Sequence, residues 1–224
     1  MSSYLLLKYA HLIAFVYWLG GDLGTFIASR QVVNDKLSAQ SRQVALKIML
    51  ACDMGPKLAM PLILPLGIHM ASLSGALPVS PAMIGAAWLV GAYWFTVVLV
   101  LFLNEGKPFT QKLSQVDLYF RIAVVLVLLG WVATLLVSGQ GAGWAQAKVV
   151  IFALMVCCGI AIRINLKPFV PAFVQMMSGG DQPGSAMSAA NATMARCIDR
   201  CRPFVWLIWA GLFTSAALGI HLLG

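Results

Sequence analysis

The chain contains three histidines, His11, His69 and His221, and each lies within a strongly apolar stretch. Imidazole is the commonest metal ligand in proteins and a frequent axial ligand of haem iron. At 1.5 Å per residue, His11, His69 and His221 lie about 10, 6 and 5 Å from one end of their predicted helices. Three imidazoles at nearly one depth indicate a metal or haem site close to that end, with His11 and His69 as the leading metal ligands.

The composition is typical of an integral membrane protein. Of the 224 residues, 61% are hydrophobic and 10% are charged, whereas a soluble domain carries roughly 25% charged residues. The net charge of +8 comes from short connections between apolar runs. Basic residues in such connections act as topology signals, so we expect no nucleic-acid partner.

Six apolar runs are each long enough to cross a bilayer, which takes ~20 residues. They are Tyr4–Ala28, Leu46–Leu73, Pro81–Leu103, Tyr119–Val137, Trp144–Ile164 and Pro203–Leu223. The sequence therefore predicts an all-α fold, a polytopic bundle of six transmembrane helices that forms one domain over residues 1–224. Prolines 56, 61 and 65 predict a kink in the second helix.

The basic residues set the predicted orientation. Of the 15 Lys and Arg residues, all except Lys8 and Lys148 fall on one side of the six runs. The positive-inside rule assigns that side to the cytoplasm, and it places both termini and the histidines on the outer, periplasmic side of an inner membrane. The longest connection, Lys167–Arg202, is then a cytoplasmic loop. It contains a Gly/Pro break at Ser178–Ser185 and an Ala-rich stretch expected to be helical.

Lys8 and Lys148 share the outer side with the histidines, and no Asp or Glu lies there. A buried ammonium usually needs a partner. An anionic group from outside the chain, such as a haem propionate or a lipid phosphate, would satisfy both lysines. The alternative is that each side chain extends to the lipid headgroups.

The first helix carries a stripe of candidate residues. His11, Phe15, Trp18 and Asp22 share one face, because they follow one another at i, i+4, i+7 and i+11. Trp18 would pack against a flat macrocycle bound at His11, although an aromatic stripe is also typical of helix packing.

Three further ionisable residues, Asp22, Asp53 and Lys57, lie in the cytoplasmic half of the first two helices. Intramembrane charges are candidates for function. An ion pair of Asp22 or Asp53 with Lys57 or Arg163 is the favoured interpretation, and a proton path to the outer site is the alternative.

Sulfur-containing residues offer a copper interpretation. Met70 adjoins His69, and Met54 and Met60 lie along the same helix, which suits a thioether and imidazole route for copper. Cys197 and Cys201 are spaced at i, i+4 on the cytoplasmic side, and two thiols without further nearby ligands make a weak metal site.

Three segments resemble the CopD-like and HemJ-like membrane proteins. The first is LKYAHLIA at residues 7–14 with WLGG at 18–21, the second is WAQAK at 144–148 followed by an apolar run to Arg163, and the third is the Pro-containing region 55–61. The resemblance covers about half of the chain.

The two branches of this family imply different activities. In the HemJ-like branch a first-helix His binds b-type haem and a Lys takes part in protoporphyrinogen oxidation, which would assign those roles to His11 and Lys148. The CopD-like branch implies copper passage across the inner membrane. The chain departs from the first branch in having six spans, and from the second in lacking a copper-capture segment.

The leading hypothesis is a b-type haem protein with His11 and His69 as axial ligands and Lys8 and Lys148 at the propionates. It would transfer electrons between quinone or a redox partner protein and an acceptor, within membrane lipid. The alternatives are a copper transporter, a protoporphyrinogen-oxidase-like enzyme, and a scaffold whose histidines bridge helices. The role of His221, the oligomeric state and whether the chain is an enzyme stay open.

Overall fold

The computed structural model describes residues 3–178 and 185–222. Over these residues the chain forms seven α-helices and no strand: α1 (Ser3–Val32), α2 (Ala39–Leu73), α3 (Pro81–Leu103), α4 (Pro108–Ser138), α5 (Gly143–Asn165), α6 (Phe169–Ser178) and α7 (Ser185–Gly219). Six segments are long and apolar enough to cross a membrane, with α5 and α6 taken together as one. The predicted all-α fold with six candidate membrane spans is confirmed, and the orientation of its termini stays a prediction.

The helices divide the molecule into two ends. We call the end where α1 joins α2, α3 joins α4 and α5 joins α6 the basic end, and the opposite end the histidine end. Several helices are longer than the predicted spans at the basic end. For example, α2 begins at Ala39 because the Ser38 side chain caps it by accepting a hydrogen bond from the Ser41 amide. These polar extensions lie outside the apolar part of the bundle.

α7 ends earlier than the sequence predicts. Its last helical residue is Gly219, and His221 follows in a turn with a φ of 56°. His221 therefore lies beyond the helix rather than in its final turn. The predicted span end, Leu223, lies outside the described residues.

Proline and glycine residues bring α1, α2 and α3 close together. Each proline of α2 lacks an N–H, so the carbonyl four residues earlier loses its helical partner. Two of these carbonyls face glycines on neighbouring helices: a Cβ on Gly21 would lie 2.6 Å from the Cys52 oxygen, and a Cβ on Gly91 would lie 2.6 Å from the Pro61 oxygen. The close approach of both helices to α2 therefore depends on glycine at these positions.

Six helices form a closed ring. In order around it, α1 packs on α2, then α3, α4, α5 and α7, and α7 returns to α1. Toward the histidine end the ring is filled by a hydrophobic core in which Trp18 and Trp94 are 1% and 0% exposed. These two large aromatic side chains are therefore enclosed by the helices of the ring.

A second core lies at the basic end, where α6 and the first half of α7 cover the ends of α1 and α2. Arg42 is buried between them, and it donates hydrogen bonds to the Val32 carbonyl (2.8 Å) and to Asn191 Oδ1 (2.9 Å). The predicted loop Lys167–Arg202 is therefore largely folded. Its Ala-rich part is helical, as the sequence predicts, while the predicted Gly/Pro break falls mainly on residues 179–184, outside the described residues.

Candidate functional site

His11 and His69 lie on opposite flanks of α2. The His11 ring packs against Gly67, where an added Cβ would lie 3.3 Å from His11 Cε1. His69 is two residues further along, and residues two apart on a helix are separated by about 200° around its axis. His69 accordingly faces α3, and its Nδ1 accepts a hydrogen bond from Trp88 Nε1 at 3.4 Å. The structure does not bring these two imidazoles together.

Lys148 of α5 is grouped with His11 and His221. Its ammonium is close enough to His11 to interact with it electrostatically, and its Nζ lies 5.4 Å from the centre of the Trp144 ring. The His221 ring meets the same Trp144 ring edge to face, with centroids 5.2 Å apart. Lys148 and Trp144 therefore connect two of the three histidines.

The fit of a haem to these residues is partial. His11 Nδ1 is buried and has no hydrogen-bond partner in the described part of the chain, so it would be free to ligate a haem iron, and Lys148 would be the counter-charge of a propionate. His69 faces α3 instead and accepts a hydrogen bond from Trp88. Lys8 is exposed on the surface of α1, as expected for a side chain that extends to the headgroups.

The described residues form no cluster suited to hold a metal ion. Within residues 3–178 and 185–222, no three side chains of His, Cys, Asp or Glu gather at one point. The structure therefore adds no support for copper binding, which stays a prediction.

A cavity of about 530 Å³ occupies the basic half of the ring, and the sequence did not predict it. Its lining extends from Trp18 inside the ring to Glu105 and Lys167, which are exposed at the basic end. Ligand pockets in proteins commonly measure ~300–1,000 Å³. The cavity therefore has room for a small solute and reaches the basic end.

Asp22 lies beside Trp18 in the lining of this cavity. The Asp22 Oδ2 atom is buried and has no hydrogen-bond partner among the described residues. The nearby Asp53 carboxylate forms an ion pair with Lys57 on α2. Asp22 is thus left without a cationic partner in the described part of the chain, whereas Asp53 has one.

A three-residue ion cluster forms another part of the wall. Asp117 of α4 is 2% exposed, and its Oδ2 accepts hydrogen bonds from Arg121 Nε at 3.0 Å and from Arg163 Nη1 at 2.8 Å. Arg163 also donates to the backbone and side-chain oxygens of Ser114. One carboxylate between two guanidinium groups leaves one positive charge in excess.

This cluster includes Asp117, a residue that the sequence did not indicate as part of a site. The predicted partners of Arg163 were Asp22 and Asp53, and the structure pairs Arg163 with Asp117 instead. The i, i+4 spacing of Asp117 and Arg121, at the start of the fourth apolar run, was the available signal, because such a pair beside a membrane span is rare.

The charged side chains of the whole lining show the same small positive excess. The bases are Lys57, Arg121, Arg163, Lys167 and Arg202, and the acids are Asp22, Asp53, Glu105 and Asp117. The rest of the wall is mainly apolar, so the cavity suits a solute with both an apolar and a charged part.

No family model matches the chain, and neither a curated protein nor a solved structure matches it. The resemblance to the CopD-like and HemJ-like proteins therefore stays a prediction from the sequence.

Proposed function

We propose that the protein is a membrane carrier, which takes a small solute into the cavity from the basic end and releases it at the histidine end. The observation that carries this proposal is Asp22, a carboxyl group without a cationic partner at the inner end of a solute-sized cavity. Acidic residues within membrane helices are costly and mark ion, proton or substrate paths. Asp22 would carry a proton that moves together with the solute.

The architecture of the ring supports alternating exposure of the cavity. Carriers place their sites near the middle of the bilayer, beside helices interrupted by Gly and Pro. Here α2 contains Pro56, Pro61 and Pro65, and α1 contributes Gly21 at its contact with Pro56. The carbonyls that lie four residues before these prolines have no helical partner, and Gly21 has no Cβ at its contact with Pro56. The α1–α2 contact is therefore the part of the ring best suited to bend.

In the proposed cycle, the conformation whose cavity lining includes the exposed Glu105 and Lys167 would be the state open at the basic end. Trp18 and Phe152 are in contact above the cavity, and the positive-inside rule makes the basic end cytoplasmic. In the second state of the cycle these two rings would separate and the basic end would close around α6 and α7.

Side-specific labelling tests the proposal without knowledge of the solute. Thr25 lines the cavity, and cysteine is close to threonine in size. We expect Thr25→Cys in proteoliposomes to react with a membrane-impermeant maleimide from either side. A cavity that serves as a fixed pocket reacts from the basic end only, and that result would overturn the proposal.

A second candidate is a haem-binding redox protein of the inner membrane that exchanges electrons with quinone or a partner protein. The buried, unpartnered His11 Nδ1 beside Lys148 favours it. A bound haem would supply one-electron chemistry, His11 would ligate the iron, and Lys148 would neutralise a propionate. An absorbance spectrum of protein produced with added haem, compared with that of His11→Ala, tests this candidate.

A further inference from the structure

We infer that the solute is an amphipathic anion, a carboxylate or phosphate on an apolar body, and that Arg121 binds its anionic group. This inference rests on the proposed carrier function and names its substrate class. It depends on the hydrogen bonds that Arg121 and Arg163 already make in the cavity wall. It also depends on the one positive charge that remains after Asp117 has neutralised one of the two arginines.

Arg121 has the free donors that an anion requires. Its Nε donates to Asp117, and no described residue accepts a hydrogen bond from either of its Nη atoms. The Arg121 side chain is 15% exposed and lines the cavity. Two adjacent N–H groups of a guanidinium match the two oxygens of a carboxylate or phosphate in a bidentate pair.

The surroundings of Arg121 hold its guanidinium in place. Asp117 fixes one edge, and the guanidinium lies over the Trp94 ring, 5.2 Å from its centre. Asp117 is therefore a positioning residue that acts through Arg121. A donor whose orientation is already fixed loses less entropy on binding a ligand than a mobile surface arginine.

Arg163 is the less suitable of the two arginines. Its Nη1 donates to Asp117, and its Nη2 donates to both oxygens of Ser114. Its side chain is thus committed to holding α5 against α4. It contributes positive charge to the site without presenting a free pair of donors.

Other residues of the cavity wall suit the apolar part of the solute and a proton that moves with it. Phe26, Met60, Leu101 and Ile208 line the cavity and would contact an aryl or alkyl group. An anion inside a membrane protein needs compensating positive charge. The surplus charge at Arg121 and Arg163 offsets the bound anion, and one proton carried on Asp22 makes the movement of one anion electroneutral.

Binding of phenylacetate to the purified full chain in detergent tests the inference. We expect saturable binding of radiolabelled phenylacetate by equilibrium dialysis, with no competition from phenethylamine. Arg121→Gln should weaken binding about 10-fold to 100-fold, since a charge-assisted hydrogen bond contributes about 1.5–3 kcal/mol. The affinity of Arg121→Lys for phenylacetate should lie between those of the wild type and Arg121→Gln, because lysine keeps the charge and loses the bidentate geometry.

Lys112→Gln is the matched control, because it removes the same charge from an exposed position on the same helix outside the cavity. Phenylglyoxal modification of the unmutated protein covers the case in which the Arg121 variants do not fold. We expect phenylacetate to protect Arg121 from modification in peptide maps. Absence of saturable binding, equal binding by Arg121→Gln, or modification of Arg121 at the same rate with phenylacetate each overturns the inference.

The anion has two sources, a soluble carboxylate or the phosphate of an anionic lipid. In nanodiscs, competition between phosphatidylglycerol and phenylacetate assigns the Arg121 site to a lipid phosphate, and equal binding in phosphatidylcholine and phosphatidylglycerol assigns it to a soluble anion. Failure of phenylacetate to bind, together with two-sided labelling of Thr25→Cys, refutes the substrate class while the carrier function stands.

Discussion

Trp18 of α1 meets Phe152 of α5 edge to face, with their ring centroids 6.3 Å apart. Both side chains are buried in the main hydrophobic core, and Trp18 also forms the inner end of the cavity that Asp22 lines. This contact separates Asp22 from the His11 and Lys148 group nearer the histidine end. The two candidate sites, which share one face of α1, are therefore divided by an aromatic barrier.

Removing the barrier should connect the two ends of the molecule. We expect Trp18→Ala to let protons leak into pyranine-loaded proteoliposomes, because the cavity would extend past the level of Phe152. Trp18→Phe, which keeps an aromatic ring, should retain the barrier. The loss of a buried Trp should also lower stability by about 3–5 kcal/mol, so the leak is measured on folded, monodisperse protein. A folded Trp18→Ala variant that is as impermeable to protons as the wild type would contradict the assignment of Trp18 as the barrier.

Two ion pairs of equal length but different burial predict different losses of stability. Asp117 and Arg163 are 2.8 Å apart with Asp117 2% exposed, and Asp199 and Arg202 are also 2.8 Å apart with Asp199 61% exposed. We expect Asp117→Asn to destabilise the protein by about 3–5 kcal/mol, because it leaves two guanidinium groups without their buried partner. Asp199→Asn should change stability by no more than about 1 kcal/mol.

Thermal unfolding of the two variants in the same detergent compares them directly. Equal unfolding temperatures for Asp117→Asn and Asp199→Asn would show that the Asp117 cluster does not hold α4 to α5.

Alanine substitutions at two adjacent glycines of α1 should change the stability of the protein in opposite directions. A Cβ on Gly21 would lie 2.5 Å from Pro56 Cδ, whereas a Cβ on Gly20 would meet nothing within 4 Å. Gly21→Ala should therefore cost about 1–3 kcal/mol by forcing α1 away from α2. Gly20→Ala should gain up to about 1 kcal/mol from better helix propensity. Unfolding temperatures that shift in the same direction would mean that the α1–α2 contact tolerates a methyl group.

The sequence was sufficient to predict the helical membrane fold, because apolar length and the positions of charged connections determine it. It placed Asp53 and Lys57 four residues apart on one helix, a spacing that requires no knowledge of neighbouring helices. It did not predict that α6 and the first half of α7 fold onto the ends of α1 and α2. That packing buries Arg42 against Asn191, which is far away in the chain.

The site was harder to predict than the fold, because it depends on how helices rotate against one another. Depth along each helix put His11 and His69 at one level, and the rotation of α2 then placed them on different flanks. Asp117 and Arg163 are 46 residues apart, and their pairing follows from α4 and α5 being neighbours in the ring. Depth follows from counting residues, whereas facing directions follow from tertiary packing.

The haem candidate makes a prediction that separates the histidines. Because His11 and His69 lie on opposite flanks of α2, a haem bound near Lys148 uses His11 and leaves His69 on Trp88. We expect His11→Ala to abolish the Soret band of haem-loaded protein and His69→Ala to retain it. Equal loss of the Soret band in the two variants would favour ligation by both histidines. A wild-type protein without a Soret band after loading with haem would exclude the haem candidate.

Accessibility of the cavity from both sides of the membrane tests the carrier function most directly. The five cysteines are first replaced by alanine, and proteoliposomes of uniform orientation are prepared from Thr25→Cys. Two exposed positions calibrate the sides: Lys36→Cys, at the basic end, should be labelled only from there, and Ser74→Cys only from the histidine end.

Under those conditions we expect an impermeant maleimide to label Thr25→Cys from both sides, because the cavity opens to each end in turn. Adding Asp22→Asn should change the ratio of the two labelling rates, since Asp22 carries the transported proton. Labelling of Thr25→Cys from the basic end only, with the two calibrating positions behaving as expected, would contradict the carrier function.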